Sequence, residues 1–400
     1  MAVAGAMRVS PGQRVLDVAA APGGKSTHLA ALLAGEGLLV ANEIHPARIK
    51  ALGENLERWG APNVVMINAD PDRLGGVYDR VLLDAPCSGE GMFRRDPAAM
   101  TEWSPERVLG SAERQLRILR SVAPRVAPGG LLLYSTCTFN VEENERVVAA
   151  FLAEHAGWSL VDIPKTANIQ PGILIPGLLI DQPDSIDQSI SPVAARFIAP
   201  PVEGDAVGTS EAFPSNRMAR LWPHRLAGEG HTLALLQAPG DEPELAETTR
   251  RAGADATDPA ASAAWRSLVG TALAINPTER WGDTLRMVDD RLTLTPPAAL
   301  DLDLGQARVV RNGLWLATVK PGRVEPSHAL ALALRPEDAA NRLDLSMSEA
   351  GAYLAGHPVT AAGPAGWVLV TVDGFPLGWG KRTGATVKNH YPKGLRRLTG

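Results

Sequence analysis

Apolar runs of five to eight residues alternate with amphipathic stretches through the first third of this chain. RVLDV (14–18), LLVANE (38–43), NVVMINAD (63–70), DRVLLDAP (79–86) and GLLLYSTC (130–137) are nearly continuous in apolar residues. Runs of that length, bounded by turn residues, read as strands buried on both faces, the pattern of a parallel sheet. Segments near 25–34, 46–59, 104–123 and 141–155 carry helical spacing between them. In the third, Ser104 and Pro105 supply an N-cap and a first-turn proline. Val108, Ala112, Leu116, Leu119 and Val122 then hold one apolar stripe before Pro124 ends or kinks the helix. In the fourth, Asn140 followed three residues later by Glu143 resembles a capping box, with Val147, Val148, Phe151 and Leu152 as the buried stripe. Strand–helix alternation predicts an α/β fold, a doubly wound Rossmann-like sheet with ligands at the carboxyl ends of its strands.

Beyond residue 160 the periodicity weakens. Residues 165–215 are rich in Pro, Ile, Asp and Ser and read as a long loop. RLWPHRLAGEGHTLALL (220–236) ends in a strand pattern that could close the sheet, and 238–262 is polar enough for a linker. The expected division is a catalytic domain over 1–238, a linker and small intermediate domain over 239–330, and a β-rich domain over 331–400 that contains GWVLVTVDGFPLGWGK (366–381).

Composition narrows the class. The 400 residues carry a net charge of −5, so any nucleic-acid surface has to be local. Two cysteines exclude a disulfide framework and fit a reducing compartment. The eight histidines show no spacing that would pair with them at zinc, and no metal is expected. MAVAGAMRVSPG lacks the charged start and long apolar core of a signal peptide. ILIPGLLI (173–180) is short and broken by Pro176 and Gly177, so no membrane span is expected. The chain reads as a cytoplasmic monomer.

AAAPGGKS (19–26) follows the first predicted strand and opens a helix. Gly23 and Gly24 permit a tight turn and close approach of a ligand at the positive helix end. The spacing matches neither a P-loop nor G-x-G-x-x-G. Glu43, Asp70 and Asp84 end three successive strands, with Glu43 about 20 residues past the glycines, where nucleotide folds place an acid on ribose hydroxyls. One acid at a strand end is commonly a loop cap; three after a glycine turn favour an adenosine-containing cofactor. With no phosphate-binding lysine–hydroxyl pair for Mg²⁺, S-adenosylmethionine is favoured over ATP. Both cysteines also fall at strand ends. Cys87 opens the polar loop CSGEG, and Cys137 sits between two threonines before a helix start. A buried cysteine is usually a small hydrophobe, but a thiol near a helix N-terminus has its pKa lowered from about 8.5 toward neutrality and becomes nucleophilic. In the tail, residues 374–400 hold six cations and no acid, with Trp379, His390 and Tyr391 among them, a composition suited to phosphate contacts and base stacking.

The set AAAPGGKS, DAPCSGEGMFRRDP, YSTCTFNVEENE and RLWPHR…GEGH closely resembles the Sun-type RNA cytosine-5 methyltransferases, and among them the bacterial 16S rRNA methyltransferase F group. The resemblance spans about 10–160 and 216–236, and residues 366–397 are similar to the family's C-terminal PUA-like RNA-binding domain. It implies S-adenosylmethionine as cofactor and RNA, in particular ribosomal RNA, as partner. By motif position it assigns Cys137 as the nucleophile that adds to cytosine C6, and Cys87 as the thiol that assists loss of the C5 proton or release. Asp84 would hydrogen-bond the ring near N3. Cofactor contacts would come from Ala19, Ala20, Ala21, Pro22, Gly23, Gly24 and Lys25 with Glu43, Arg48, Asp70 and Asp84. RNA contacts would come from Lys381, Arg382, Lys388, Lys393, Arg396 and Arg397. A base inside a duplex cannot be reached, so the target must be unstacked. Family members usually carry about a hundred further residues upstream, and MAVAGAM looks like the tail of a helix from that segment. A tRNA substrate, or a catalytically impaired RNA-binding assembly factor, remain the alternatives at this stage.

Overall fold

The computed structural model describes residues 2–166, 169–174, 179–180, 211–226, 228–241, 258–282 and 284–396. Arg397 and most of the stretches 165–215 and 238–262, with the loop and linker expected there, lie outside the described residues.

Five parallel strands form the centre of the first sheet. They are β1 (Arg14–Asp17), β2 (Leu38–Asn42), β3 (Val64–Asn68), β4 (Tyr78–Asp84) and β5 (Val126–Thr136), in the order β3-β2-β1-β4-β5. The order reverses between β1 and β4, and a sheet of this kind opens its ligand crevice at the carboxyl ends there. Neighbouring side chains on each strand face opposite sides. Leu16, Val40, Val65, Val81 and Leu132 pack against α5 (Pro105–Val122) and α6 (Glu145–Glu154) through Leu116, Leu119, Val148 and Phe151. Val15, Leu39, Val64, Leu82 and Leu133 pack on the other face against α1 (Ala2–Ala6), α2 (Gly24–Leu33) and α3 (Pro46–Trp59) through Val3, Leu29, Leu33, Leu52 and Leu56. Burial on both faces is the reason these strands read as unbroken apolar runs. The short helix α4 (Ala98–Glu102) precedes α5.

Short strands follow: β6 (Ser159–Val161), β7 (Ile169–Pro171), a separate pair β8 (Leu179–Ile180) and β9 (Glu211–Ala212), β10 (Ala219–Leu221) and β11 (His231–Gln237). β11 runs antiparallel to β5, with Thr232 opposite Thr136, and β10 and β7 extend the sheet beyond it. The 220–236 segment thus closes the sheet, as two strands rather than one.

One helix start differs from the sequence pattern. Asn140 and Glu143 do exchange bonds, Glu143 N–H donating to Asn140 Oδ1 and Asn140 Nδ2 to Glu143 Oε1, each at 2.8 Å. They close a turn ahead of the helix, and α6 begins at Glu145. Glu143 is held out of the helix because its other carboxylate oxygen is bonded by Ser88 N and Gln115 Nε2, from the Cys87 loop and α5.

The C-terminal part contains α7 (Pro259–Ala272), α8 (Thr278–Trp281), β12 (Leu285–Val288), β13 (Arg291–Leu294), β14 (Arg308–Asn312), β15 (Leu314–Lys320), β16 (Arg323–Pro326) and α9 (His328–Ala333). It continues with β17 (Arg342–Leu345), α10 (Met347–Leu354), β18 (Val359–Thr360), β19 (Gly366–Val372), β20 (Phe375–Thr383) and β21 (Thr386–Asn389). Two small sheets result, β12-β13-β15-β16 and β17-β19-β20-β21-β18. β14 leaves its neighbours and pairs antiparallel with β3, at the edge of the first sheet. Trp265, Leu292, Leu316 and Leu330 share one core with Trp367, Leu369 and Trp379. A division at 330/331 therefore cuts through α9 and a common apolar core. Among the described residues, no helix is long and apolar enough to cross a membrane.

Candidate active site

Strand register brings the two thiols together. β4 and β5 are parallel with Asp84 opposite Ser135, and the Ala85 amide continues the ladder to the Ser135 carbonyl at 2.8 Å. Cys87 lies three residues past Asp84 and Cys137 two past Ser135, so each leaves its strand at the same level. Their Sγ atoms are 3.2 Å apart.

The loops that carry them are fixed by buried polar bonds. Glu143 Oε2 accepts from Ser88 N at 2.9 Å and Gln115 Nε2 at 2.7 Å, and Gln115 Nε2 also donates to the Pro86 carbonyl at 3.0 Å. Tyr134 Oη lies 2.6 Å from the Glu143 carbonyl. Glu90 Oε2 accepts from Phe139 N and Asn140 N at 2.8 and 2.9 Å, and Gly91 N donates to the Cys137 carbonyl at 2.8 Å. Burial would raise the Glu90 pKa, but these amide donors hold it below the usual carboxylate value. Arg220 and Glu145, both fully buried, form a bidentate pair, and Arg220 Nη1 donates to the Phe139 carbonyl at 2.6 Å. That bond ties β10 to the Cys137 loop.

Electrostatics separate the two sulfurs. The hydrogen bond to its neighbour, burial and the nearby Glu143 charge all push the Cys87 thiol well above its ordinary value. The contact with Cys87 lowers the Cys137 pKa, against burial and the nearby Asp84 charge, which raise it, and the Lys25 ammonium works with Cys87. These opposite shifts favour the thiolate on Cys137 over Cys87. Lys25 Nζ donates to Asp84 Oδ2 at 2.7 Å, both side chains about one quarter exposed. Burial alone would lower the Lys25 pKa, but Asp84, Asp17 and Cys137 raise it. The structure thus sets Lys25 beside the thiols and Asp84 as well as in the glycine turn.

The remaining expected cofactor residues cluster at the carboxyl ends of β1, β2 and β3. Gly23 adopts φ +114°, a conformation side chains rarely take, and a Cβ on Gly24 would meet nothing within 4 Å. Glu43 is 1% exposed, with Oε2 accepting from Ala21 N at 3.3 Å and Oε1 from His45 N at 2.9 Å. Arg48 lies against it, Nη1 3.5 Å from Glu43 Oε2 and Nη2 donating to the Ala21 carbonyl at 2.5 Å. Asp70 is exposed and caps a turn by accepting from Asp72 N. Ala19, Ala20 and Pro22 line the backbone between β1 and α2, with Ala20 N bonded to the Asn42 carbonyl.

Sequence reasoning missed Asp17, the last residue of β1. Its Oδ2 accepts from Ser26 Oγ at 2.6 Å, its Oδ1 is buried with no hydrogen-bond partner among the described residues, and burial, against the Ser26 bond and the Ala19 backbone, raises its pKa to about 7. A charge inside the run RVLDV was the available signal. His231, opposite Leu221 at the start of β11, is a second omission: its Nδ1 is buried with no hydrogen-bond partner among the described residues, and burial lowers its pKa. The orphaned Asp17 oxygen, the open space over Gly24 and the acid at the β2 end fit a ligand with a cationic amino-acid end and a ribose.

The profile of the 16S rRNA methyltransferase RsmB/F family matches residues 4–237. The chain belongs to that family. Profiles for the first C-terminal domain and the PUA domain of the RsmF methyltransferases match residues 272–334 and 340–397. The ribosomal RNA small subunit methyltransferase F of Serratia proteamaculans (strain 568) is 32% identical over 391 residues, 96% of this chain and 73% of that protein. Its counterpart in Erwinia tasmaniensis is 30% identical over 392 residues, 96% of this chain and 74% of that one. A solved structure of NSun6 from Pyrococcus horikoshii with SFG is 26% identical, covering 60% of this chain and 51% of that chain at TM-score 0.44.

The expected RNA-contact residues of this RsmB/F-family chain divide. Lys381, Lys388 and Lys393 are exposed, with Lys381 Nζ 5.3 Å from the Trp367 ring centre. Arg382 is 4% exposed and donates to the Pro364 carbonyl at 3.2 Å, so it faces the interior of the C-terminal sheet. Arg396 is half-buried and donates to the Tyr391 carbonyl. Trp379 is 2% exposed, its indole N–H bonded to the Ser327 carbonyl at 2.8 Å, and it cannot stack on a base. Alternation along β20 is the reason: consecutive residues face opposite ways, and a count of cations ignores which way each points.

Proposed function

We infer that this chain is an S-adenosylmethionine-dependent RNA methyltransferase that modifies C5 of a cytosine in 16S rRNA. The observation that carries the reading is the pair of sulfurs 3.2 Å apart at the carboxyl ends of β4 and β5, with Lys25 and Asp84 beside them. Two thiols serve no purpose in methylating an exocyclic amine. They suit a carbon that must first be activated by addition at its neighbour.

Cys137 is the nucleophile. Its thiolate is favoured by the Cys87 hydrogen bond and by Lys25, and it adds to C6 of an unstacked cytosine, making C5 electron-rich. Asp84, paired with Lys25, faces the ring near N3 and steadies charge as the thiolate adds. When bound, S-adenosylmethionine supplies an electrophilic methyl group to C5. Cys87 assists removal of the C5 proton or release of Cys137, and to accept that proton it must first give up the one it shares with Cys137. The glycine turn, Glu43, Arg48, Asp70 and Asp17 hold the cofactor, and Arg48 must move off Glu43 for a ribose to reach that carboxylate. A ribosomal RNA substrate places the protein in the cytoplasm.

The test is tritiated methyl transfer to 16S rRNA with bisulfite mapping of the product. Cys137→Ala loses roughly 10⁴-fold or more of the rate, as removal of a nucleophile does. Cys87→Ala accumulates a protein–RNA adduct that survives denaturing gels. A Cys137→Ala protein of near-normal activity sinks the reading.

A further inference from the structure

We propose that the cavity on the α5 side of Cys87 is a phosphodiester site for the RNA strand that carries the target base. The proposal rests on the reading above and assigns residues it does not use. The cavity has a volume of about 320 Å³ and is lined by Pro86, Cys87, Arg107, Gly110, Ser111 and Arg114. A water molecule's share of the liquid is about 30 Å³, so a hydrated phosphate group fits there.

Four of the lining residues come from one face of α5. Positions 107, 110, 111 and 114 follow the i, i+3, i+4, i+7 spacing that stacks side chains along a helix. Their chemistry is cation, nothing, hydroxyl, cation. Among the described residues, no acidic side chain lines the cavity. Arg107 reaches Glu102 at 2.8 Å and Arg120, further along α5, reaches Glu154 at 2.7 Å, but Arg114 has no acidic partner among the described residues. In a chain of net charge −5, an unpaired guanidinium facing the catalytic thiol is a local attraction for an anion.

Gly110 shapes the wall of the cavity between the two arginines. A glycine inside a helix costs about 1 kcal/mol relative to alanine. Such a residue is explained when a neighbour crowds it, but a Cβ on Gly110 would meet nothing within 4 Å. The missing side chain leaves the helix backbone open between the two arginines, where a ligand can approach it.

The occupant follows from position. Gln115, adjacent to Arg114, bonds the Pro86 carbonyl at 3.0 Å and the Glu143 carboxylate at 2.7 Å, so this helix face is fixed relative to Cys87. A cytosine held against the two thiols brings its own flanking phosphates within one nucleotide's reach of the cavity. Arg107 and Arg114 then bond a non-bridging phosphate oxygen each, Ser111 Oγ donates a third bond, and the base is drawn out of its stack toward Cys137.

The experiment measures binding of a fluorescein-labelled 12-nucleotide single-stranded mixed-sequence RNA by anisotropy from 50 to 200 mM salt, and methyl transfer to 16S rRNA alongside it. Arg114→Ala weakens RNA binding several-fold and flattens the log Kd against log salt slope by about 0.7, the signature of one lost phosphate contact on a single strand. Gly110→Leu fills the cavity, keeps or raises the melting temperature, leaves calorimetric S-adenosylmethionine affinity unchanged, and raises KM for RNA with kcat within about twofold. A wild-type salt slope in Arg114→Ala together with a wild-type KM in Gly110→Leu overturns the proposal, as does a fall in kcat with unchanged slope, which would make α5 a mere support for Cys87. If the wild-type protein binds RNA with this slope difference and transfers no methyl group, the functional reading fails and the phosphate site stands.

Discussion

The carboxyl edge of the first sheet and the C-terminal sheet handle charge in opposite ways. At the sheet edge, Glu143, Glu145, Arg220 and Asp17 are buried, and all but Asp17 have every demand met by bonds that join separate loops. In the C-terminal sheet, Lys381, Lys388 and Lys393 stay in solvent while Trp367 and Trp379 fill the core. Buried charges fix geometry, because each one without its partner is expensive. Surface cations fix nothing and remain free to meet a mobile polyanion. The same residue type therefore builds a catalytic site in one region and a binding surface in the other.

Removing a cation from the interior is expected to have the largest consequence. Arg220→Ala leaves Glu145 charged, buried and alone, and costs about 3–5 kcal/mol of unfolding free energy by urea titration. It also frees the Phe139 carbonyl, so the Cys137 loop loses its tie to β10. The double variant Arg220→Met with Glu145→Leu recovers most of the stability because no charge is left stranded. If the single variant is as stable as the parent, buried charge is not what organises this edge.

How legible these two regions were in sequence follows from the same physics. Strands buried on both faces announce themselves as apolar runs, and their ends locate the crevice, so Cys87, Cys137, Asp84 and Glu43 could be found before any coordinates. The partners of those residues could not. Gln115 and Glu143 are 28 residues apart and look like ordinary polar positions of a helix and a turn. Their meeting depends on how α5 packs. The pairing of β14 with β3 is likewise invisible, because RVVRN carries no mark of a sheet formed about 240 residues earlier. Arg382 was misjudged because a list of cations contains no faces.

Asp17 tests whether an acid with an unpartnered oxygen at the edge behaves as its burial dictates. Burial raises its pKa to about 7 in the folded protein, against about 3.9 in an unfolded chain. Over that interval the folded state retains a proton the unfolded chain has lost. The stability this site contributes is therefore full below about pH 4 and lost as pH rises toward 7. Asp17→Asn keeps an acceptor for Ser26 Oγ and removes the titration. Its melting temperature relative to the parent is expected to rise between pH 5 and 8. A constant difference across that range would show that Asp17 is ionised in the fold and compensated by a group not yet identified.

Lys381 and Arg382 are adjacent in sequence and opposite in orientation, so they sharpen the contrast within two residues. Lys381→Ala removes an exposed ammonium and is expected to change stability by less than about 0.5 kcal/mol. It should still flatten the salt dependence of RNA binding by about 0.7 for a single-stranded probe. Arg382→Ala removes a guanidinium packed over Gly363 and bonded to the Pro364 carbonyl. Its expected cost is about 1–3 kcal/mol of stability with the salt slope unchanged. Reversed outcomes, a stable Arg382→Ala protein with a flattened slope, would place the inner face of β20 against RNA and erase the distinction between the two regions.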